Sequence, residues 1–155
     1  MKASSDPASS EVPSRLVVDA NPILSALLTE QGAASRIFWY APAIEFVTTA
    51  YTISEIRKYL PSVARAIARS EELLEMSMRL LPLVTYDRRT YGAQLKEAER
   101  RIAKRDPKDV DLLALALQLE APLWSNDRDF SVAQAPWFTT ARLLAHLEAS
   151  GGTRK

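Results

Sequence analysis

The sequence between residues 106 and 130 reads DPKDVDLLALALQLEAPLWSNDRDF, and it decides what kind of fold the chain adopts. It opens with three acids at close spacing, Asp106, Asp109 and Asp111, and it closes on the polar segment SNDRDF at 125–130. Between them lies a nearly uninterrupted apolar run, which is typical of a buried helix followed by a short buried strand. Carboxylates therefore stand at both ends of a segment that belongs to the core.

The composition narrows the chemistry that the chain can perform. Its 155 residues suit one domain, which would bury roughly 68–70% of the surface of the unfolded chain. Cysteine is absent, which excludes disulfides, thiolate catalysis and cysteine-based zinc sites, and the single histidine, His146, excludes a ribonuclease mechanism with two histidines. The 4 glycines form no phosphate-binding loop, and the net charge of +1 does not by itself indicate a nucleic-acid binder. Carboxylates are left to carry any chemistry.

The chain divides into a disordered leader at 1–14, a single domain at 15–149 and a flexible tail at 150–155. The leader lacks the apolar middle of a signal peptide, and no apolar run is long enough to span a bilayer. We therefore expect a cytoplasmic protein with no membrane segment.

Short apolar runs alternate with helical patterns along the domain. The predicted strands are 15–19, 44–48, 83–86, 121–124 and 137–139. The predicted helices between and around them are 21–31, 33–40, 50–60, 62–80, 90–105, 106–120 and 141–149. This alternation predicts the α/β class, with a three-layer α/β/α domain and a central parallel sheet of four to five strands.

Two acids fall at the carboxyl ends of predicted strands, where parallel sheets bind their ligands. Asp19 ends the first strand and Asp127 follows the fourth. Structural interpretations are also open for the acids at helix starts. Asp19 could favour a helix N-terminus through the macrodipole, although Asn21 is expected to be the cap residue. Asp109 could complete a cap that Asp106 begins.

The remaining acids have structural interpretations too. Asp127 and Asp129 could bond the backbone of their own turn. Glu55 could form a helical ion pair with Lys58, three residues on. Asp111 points away from the helix face that Asp109 uses, so it either approaches the site or is solvated.

Electrostatics decides what several converging carboxylates would mean. Two like charges ~4 Å apart repel by ~4 kcal/mol at an effective dielectric constant of ~20. A cluster of three or four carboxylates therefore requires protonation or a cation at neutral pH. Mg²⁺ or Mn²⁺ is the natural occupant of a site made of oxygen ligands.

Four stretches together resemble, in order and spacing, the PIN domain: LVVDANPILSALL at 16–28, TISEIRKYL at 52–60, DPKDVDLLALAL at 106–117 and LWSNDRDF at 123–130. That family comprises small α/β/α metal-dependent ribonucleases and includes the toxin subunits of type II toxin–antitoxin modules. Carried over residue by residue, the resemblance implies metal-binding, catalytic acids at Asp19, Glu55, Asp109 and Asp127, with a weaker match at Asp111 and Asp129. The implied supporting polar residues are Asn21 and Ser125.

The resemblance implies endonucleolytic cleavage of RNA by water that one or two Mg²⁺ or Mn²⁺ ions activate, leaving a 5′-phosphate and a 3′-hydroxyl. It also implies a homodimer and an antitoxin partner. Candidate contacts to RNA phosphates are the basic residues beside the acids: Arg57, Lys58, Arg105, Lys108 and Arg128. These could equally neutralise an acidic cleft.

Two other functions stay open. The same fold could be a non-catalytic module that binds RNA or protein. Another aspartate-based phosphoryl enzyme, such as a phosphatase or a receiver domain, is disfavoured because the first acidic motif, DANP at 19–22, lacks a second acid.

Overall fold

The computed structural model describes residues 12–41, 43–102 and 107–151. Most of the predicted leader and tail lie outside the described residues. So do the predicted helix cap Asp106 and the predicted phosphate contact Arg105.

A parallel sheet forms the centre of the molecule, and in the described residues it has five strands in the order β3-β2-β1-β4-β5. The strands are β1 Arg15–Val18, β2 Glu45–Thr49, β3 Leu83–Tyr86, β4 Leu123–Trp124 and β5 Trp137–Phe138. Val17 of β1 pairs with Val47 of β2 on one side and with Leu123 of β4 on the other. The predicted α/β/α architecture with a parallel sheet is confirmed.

Helices cover both faces of this sheet. In the described residues they are α1 Ala20–Leu28, α2 Ala33–Tyr40, α3 Ala50–Ala66, α4 Glu71–Leu80, α5 Arg88–Tyr91, α6 Leu95–Ile102, α7 Val110–Leu119 and α8 Thr140–Ala149. Short 3₁₀ turns lie at Gly92–Gln94, Pro107–Asp109 and Arg128–Val132. Among the described residues, none of these helices combines the length and the apolar character needed to cross a membrane.

Successive side chains of β1 divide between two apolar layers, as the pleat of a strand requires. Leu16 and Val18 pack into the layer that α1, α2, α3, α4 and α8 cover. Val17 packs into the other layer, which α5, α6 and α7 cover. All three side chains are fully buried, which explains why the strand is a continuous apolar run instead of an alternating one.

The predicted helix break at Pro61 is wrong. Helix α3 continues through this proline to Ala66, and the chain turns only afterwards, where Ala68 adopts a positive φ of 54°. The apolar face explains the difference, because the buried residues Ile56, Leu60 and Ala64 follow one another at helical spacing across the proline. Burial of that continuous face outweighs the hydrogen bond that proline removes.

Helix α7 brings the acidic start of the opening stretch to the functional edge of the sheet. It is followed by β4 after only three residues, and Glu120 makes the turn in the left-handed conformation. A helix that packs on a parallel sheet runs antiparallel to the strand that follows it. The first turn of α7 therefore lies at the carboxyl ends of the strands.

Candidate active site at the carboxyl edge of the sheet

The strand order creates a crevice between β1 and β4. Strands β2 and β3 extend the sheet on one side of β1, whereas β4 and β5 extend it on the other side. Such a topological switch point is where open α/β sheets bind their ligands. Asp19 directly follows β1 and Ser125 directly follows β4, so both residues stand at this crevice.

Asp19 is held at two points. Its Oδ1 accepts a hydrogen bond from the amide of Ala20 at 2.7 Å, and its Oδ2 accepts one from the hydroxyl of Ser125 at 2.6 Å. Asp19 is thus the cap residue of α1, and the prediction of Asn21 as the cap is wrong. Asn21 lies inside α1, where its Oδ1 accepts the amide N–H of Asn126 at 3.2 Å. It connects α1 to the loop after β4.

Ser125 is the junction between the two predicted strand-end acids. It is fully buried, and besides donating to Asp19 its Oγ accepts the amide N–H of Asp127 at 3.0 Å. Trp137 fixes the same loop, because its Nε1 donates to the carbonyl of Ser125 at 2.9 Å. The side-chain Oδ1 of Asn126 accepts the amide N–H of Thr140 at 2.8 Å. The loop is therefore tied to β1, β5 and α8 at once.

Asp127 is half-buried, and it does what the turn interpretation predicts. Its Oδ1 accepts the amide N–H of Asp129 at 2.9 Å and so caps the 3₁₀ turn Arg128–Val132. Asp129 is half-buried as well and takes part in a further interaction. The structural interpretation does not exclude the functional one, because the cap uses only Oδ1 of the carboxyl group.

Asp109 is buried at the end of the turn Pro107–Asp109, directly before α7. Its side chain accepts no hydrogen bond from the amides of α7, and within the described residues its Oδ2 has no hydrogen-bond partner. The residue does take part in another interaction. The predicted cap with Asp106 falls outside the described residues.

Asp111 is buried and not solvated, and its role as a further metal ligand stays a prediction. It is 4% exposed, and both of its oxygens are bound. Arg88 donates from Nε to Oδ2 and from its second terminal nitrogen to Oδ1, each at 2.9 Å, and the Tyr91 hydroxyl donates to Oδ2 at 2.5 Å. Nothing in the sequence signals this cluster, because it depends on how α5 packs against α7.

The cluster shifts the pKa values of its members. Burial alone would raise the pKa of Asp111, but the hydrogen bonds from Arg88 and Tyr91 outweigh it, and the pKa is lowered. The pKa of Tyr91 is raised, first by burial and then by its hydrogen bond to Asp111. Asp111 is thus a buried carboxylate that stays charged, with a guanidinium beside it.

Glu55 forms the predicted helical ion pair. Nζ of Lys58 donates to its Oε2 at 2.8 Å, and the hydrogen bond raises the pKa of Lys58. The neighbouring Arg57 donates from Nε and a terminal nitrogen to the carboxylate of Glu75 on α4, at 2.9–3.2 Å. Two of the predicted phosphate contacts thus have carboxylate partners. The other two in the described residues, Lys108 and Arg128, are exposed.

The donor set at this edge fits a hard divalent cation in its chemistry. Asp19, Asp109 and Asp127 offer carboxylate oxygens, which such cations prefer. These carboxylates are not clustered, however. Within the described residues no three acids or histidines are close enough together to hold a metal ion. Mutual repulsion disfavours a tighter grouping of carboxylates by themselves.

Comparison with known proteins identifies what the chain is similar to. Residues 17–148 match the sequence profile of the PIN domain. No curated protein matches the chain.

Solved structures that share its fold include the following three. PAE2754 from Pyrobaculum aerophilum is 17% identical with a TM-score of 0.61, and the match covers 91% of this chain and 99% of that one. The VapBC2 complex from Rickettsia felis, solved with a DNA fragment from its own promoter, is 13% identical with a TM-score of 0.59. The match covers 81% of this chain and 98% of that one. FitAcB from Neisseria gonorrhoeae is 15% identical with a TM-score of 0.51, and the match again covers 81% of this chain and 98% of that one. At these identities the likeness concerns the fold alone.

Proposed function

The chain belongs to the PIN-domain family, and on that premise we propose that it is an endoribonuclease that uses Mg²⁺ or Mn²⁺. The observation that carries the proposal is the link through Ser125, which donates to Asp19 at 2.6 Å and accepts from the Asp127 amide at 3.0 Å. This link joins the loops after two adjacent strands at the switch point of the sheet. Two acids from distant parts of the sequence are thereby linked through one buried hydroxyl group.

Four acids would hold the ion: Asp19, Glu55, Asp109 and Asp127. A bound divalent cation would supply positive charge that lowers the pKa of water and stabilises charge on the phosphate. Ser125 orients Asp19, because its hydroxyl engages one carboxylate oxygen while the Ala20 amide engages the other. Burial of Ser125 keeps water from replacing that hydrogen bond.

Lys108 and Arg128 are the preferred candidates for contacts to RNA phosphates. Both are exposed, and each directly adjoins one of the proposed acids, Asp109 or Asp127. Arg57 and Lys58 rank below Arg128, because each already donates to a carboxylate. A phosphate would have to displace that carboxylate before either residue could bind RNA. Lys108, too, takes part in a further interaction.

A non-catalytic PIN-like module that binds RNA or protein is the second candidate function. The observation that favours it is the open arrangement of the acids, since no three of them are grouped within the described residues. Calorimetric titration with Mn²⁺ separates the two candidates. Binding at millimolar metal or below supports the nuclease, and the absence of binding supports the module.

The decisive experiment compares Asp19→Asn with Glu45→Gln in cleavage of single-stranded RNA with Mn²⁺. Glu45 is a matched control, because it starts β2 at the opposite edge of the sheet and its carboxylate forms an ion pair with Arg15 at 2.7 Å. We expect Asp19→Asn to lower the cleavage rate by about a hundredfold and Glu45→Gln to leave it unchanged. The products should carry 5′-phosphates. Undiminished cleavage by both Asp19→Asn and Asp109→Asn would refute the mechanism.

The predicted homodimer has a candidate surface on α4. Leu73, Met76 and Leu80 are 59%, 56% and 67% exposed and lie at helical spacing on one face. Exposed apolar side chains in such a stripe are typical of a protein interface. We expect Leu80→Glu to convert a dimer into a monomer in light-scattering measurements. A monomeric wild type would contradict the homodimer.

An antitoxin partner is proposed from the family resemblance, and the likeness to the VapBC2 structure is in keeping with it. Co-expression with the product of the adjacent gene tests it. A stable complex that suppresses RNA cleavage supports the toxin role. A chain that neither forms such a complex nor arrests growth when expressed alone contradicts it.

A further inference from the structure

A buried polar cluster ties α5 to the first turn of α7. Arg88 and Tyr91, at the two ends of α5, donate to Asp111 across 23 and 20 positions of the chain, respectively. Asp111 and Tyr91 are buried, whereas the side chain of Arg88 is 65% exposed. The guanidinium thus donates hydrogen bonds to the carboxylate from the surface side, and the phenol donates one from the core side.

The bidentate geometry makes this contact directional. An arginine fork holds a carboxylate in one plane, and a third hydrogen bond at 2.5 Å removes the remaining freedom of Oδ2. Position 111 lies in the first turn of α7, so the cluster fixes the backbone where that helix begins. The other face of the same turn packs on the sheet through Leu112 and Leu113, which are at most 2% exposed.

Asp109 lies two residues before Asp111, and its orientation depends on the same turn. A helix advances by about 100° per residue, so the two side chains leave the turn on roughly opposite sides. The side chain of Asp111 contacts α5 through Arg88 and Tyr91, and from the helical spacing we infer that the side chain of Asp109 leaves the turn on the side away from α5. A turn held through Asp111 therefore sets where Asp109 can reach.

We propose that Arg88, Tyr91 and Asp111 are positioning residues that hold Asp109 in place at the crevice. The inference rests on the proposed function, because Asp109 needs exact placement only if it helps to hold a cation. The competing explanation is that Arg88 merely neutralises a buried charge. That explanation requires a positive charge at position 88 but no fork geometry.

The test measures Mn²⁺ affinity by calorimetry without RNA, so that it does not depend on cleavage. Arg88→Lys keeps the charge and loses the fork. The double variant Arg88→Met with Asp111→Leu removes both charges with side chains of similar shape, although it also removes the acceptor of the buried Tyr91 hydroxyl. The matched control is Arg15→Met with Glu45→Leu, because that pair bonds at 2.7 Å at the opposite edge of the sheet.

We expect Arg88→Lys and the double variant to weaken Mn²⁺ binding by about tenfold, as the loss of supporting contacts around metal ligands does. In cleavage, kcat should fall while KM for RNA stays constant, and the control should match the wild type. Wild-type Mn²⁺ affinity in both Arg88→Lys and the double variant would overturn the positioning role while leaving the proposed function intact. A wild type that binds no Mn²⁺ would overturn both. If the double variant does not fold, Arg88→Lys and Tyr91→Phe decide by the same measurement.

Discussion

Ser125 makes two hydrogen bonds from one buried oxygen, and its removal has a calculable cost. Ser125→Ala breaks the bond to the Asp19 carboxylate at 2.6 Å and the bond from the Asp127 amide at 3.0 Å. A hydrogen bond to a charged group contributes about 1.5–3 kcal/mol to stability, and a neutral one about 0.5–1.5 kcal/mol. Both partners are only half-buried, so water replaces part of what is lost. We therefore expect a loss near the lower end of the sum, about 2–3 kcal/mol.

Urea unfolding at pH 7 measures this loss directly, and thermal unfolding should agree with it. For a chain of this size each kcal/mol lowers Tm by about 2–4 °C, so the expected decrease is about 4–12 °C. Ser62→Ala is the matched control. Ser62 is exposed on α3 and donates only to the Tyr59 carbonyl, at 3.0 Å, so its replacement should stay within about 0.5 kcal/mol of the wild type.

A double-mutant cycle with Asp19→Asn identifies which bond contributes most. If the bond to Asp19 dominates, the losses from Ser125→Ala and Asp19→Asn are not additive, and the coupling is about 1 kcal/mol or more. A loss below about 0.5 kcal/mol for Ser125→Ala would refute the assignment of Ser125 as the junction of the two loops.

Three further predictions concern stability. Because the folded pKa of Asp111 is lowered, the contribution of its carboxylate to stability is present above pH ~4 and is lost as the pH falls through the folded pKa. The difference in unfolding free energy between wild type and Asp111→Asn should therefore shrink between about pH 5 and 2. A constant difference in urea titrations would contradict this. Because the folded pKa of Tyr91 is raised, stability should decline above pH ~10 in the wild type and less so in Tyr91→Phe, as thermal unfolding at pH 8–11 would show. Glu120 follows α7 in the left-handed conformation, with φ 52° and ψ 46°. Glu120→Gly should stabilise the fold by about 0.5–1 kcal/mol, because it relieves the left-handed strain but also increases the entropy of the unfolded chain. Gln118→Gly, inside the same helix, should instead lower the free energy of unfolding by about 1 kcal/mol. If both glycine substitutions change stability in the same direction in urea unfolding, the backbone of Glu120 is not strained.

The architecture was predictable because it depends on local patterns. Apolar runs alternating with helical periodicity require a parallel sheet covered on both faces, and parallel strands bring their carboxyl ends to one edge. Asp19 and Asp127 could therefore be placed at that edge from their positions in the sequence. The ion pair of Glu55 with Lys58 was predictable for the same reason, since residues three apart on a helix are neighbours.

What the tertiary structure alone decided is which groups meet once the helices pack. The hydrogen bond from Ser125 to Asp19 joins residues 106 positions apart. The pairing of Arg88 with Asp111 spans 23 positions and engages both carboxylate oxygens of Asp111. The continuation of α3 through Pro61 likewise follows from a buried face and not from local preference. The stretch 106–130 determines by itself that acids flank a core helix and strand, but only packing pairs Asp111 with Arg88 and Tyr91. Contacts across the sheet depend on side chains from distant elements, and local sequence patterns carry no information about those distances.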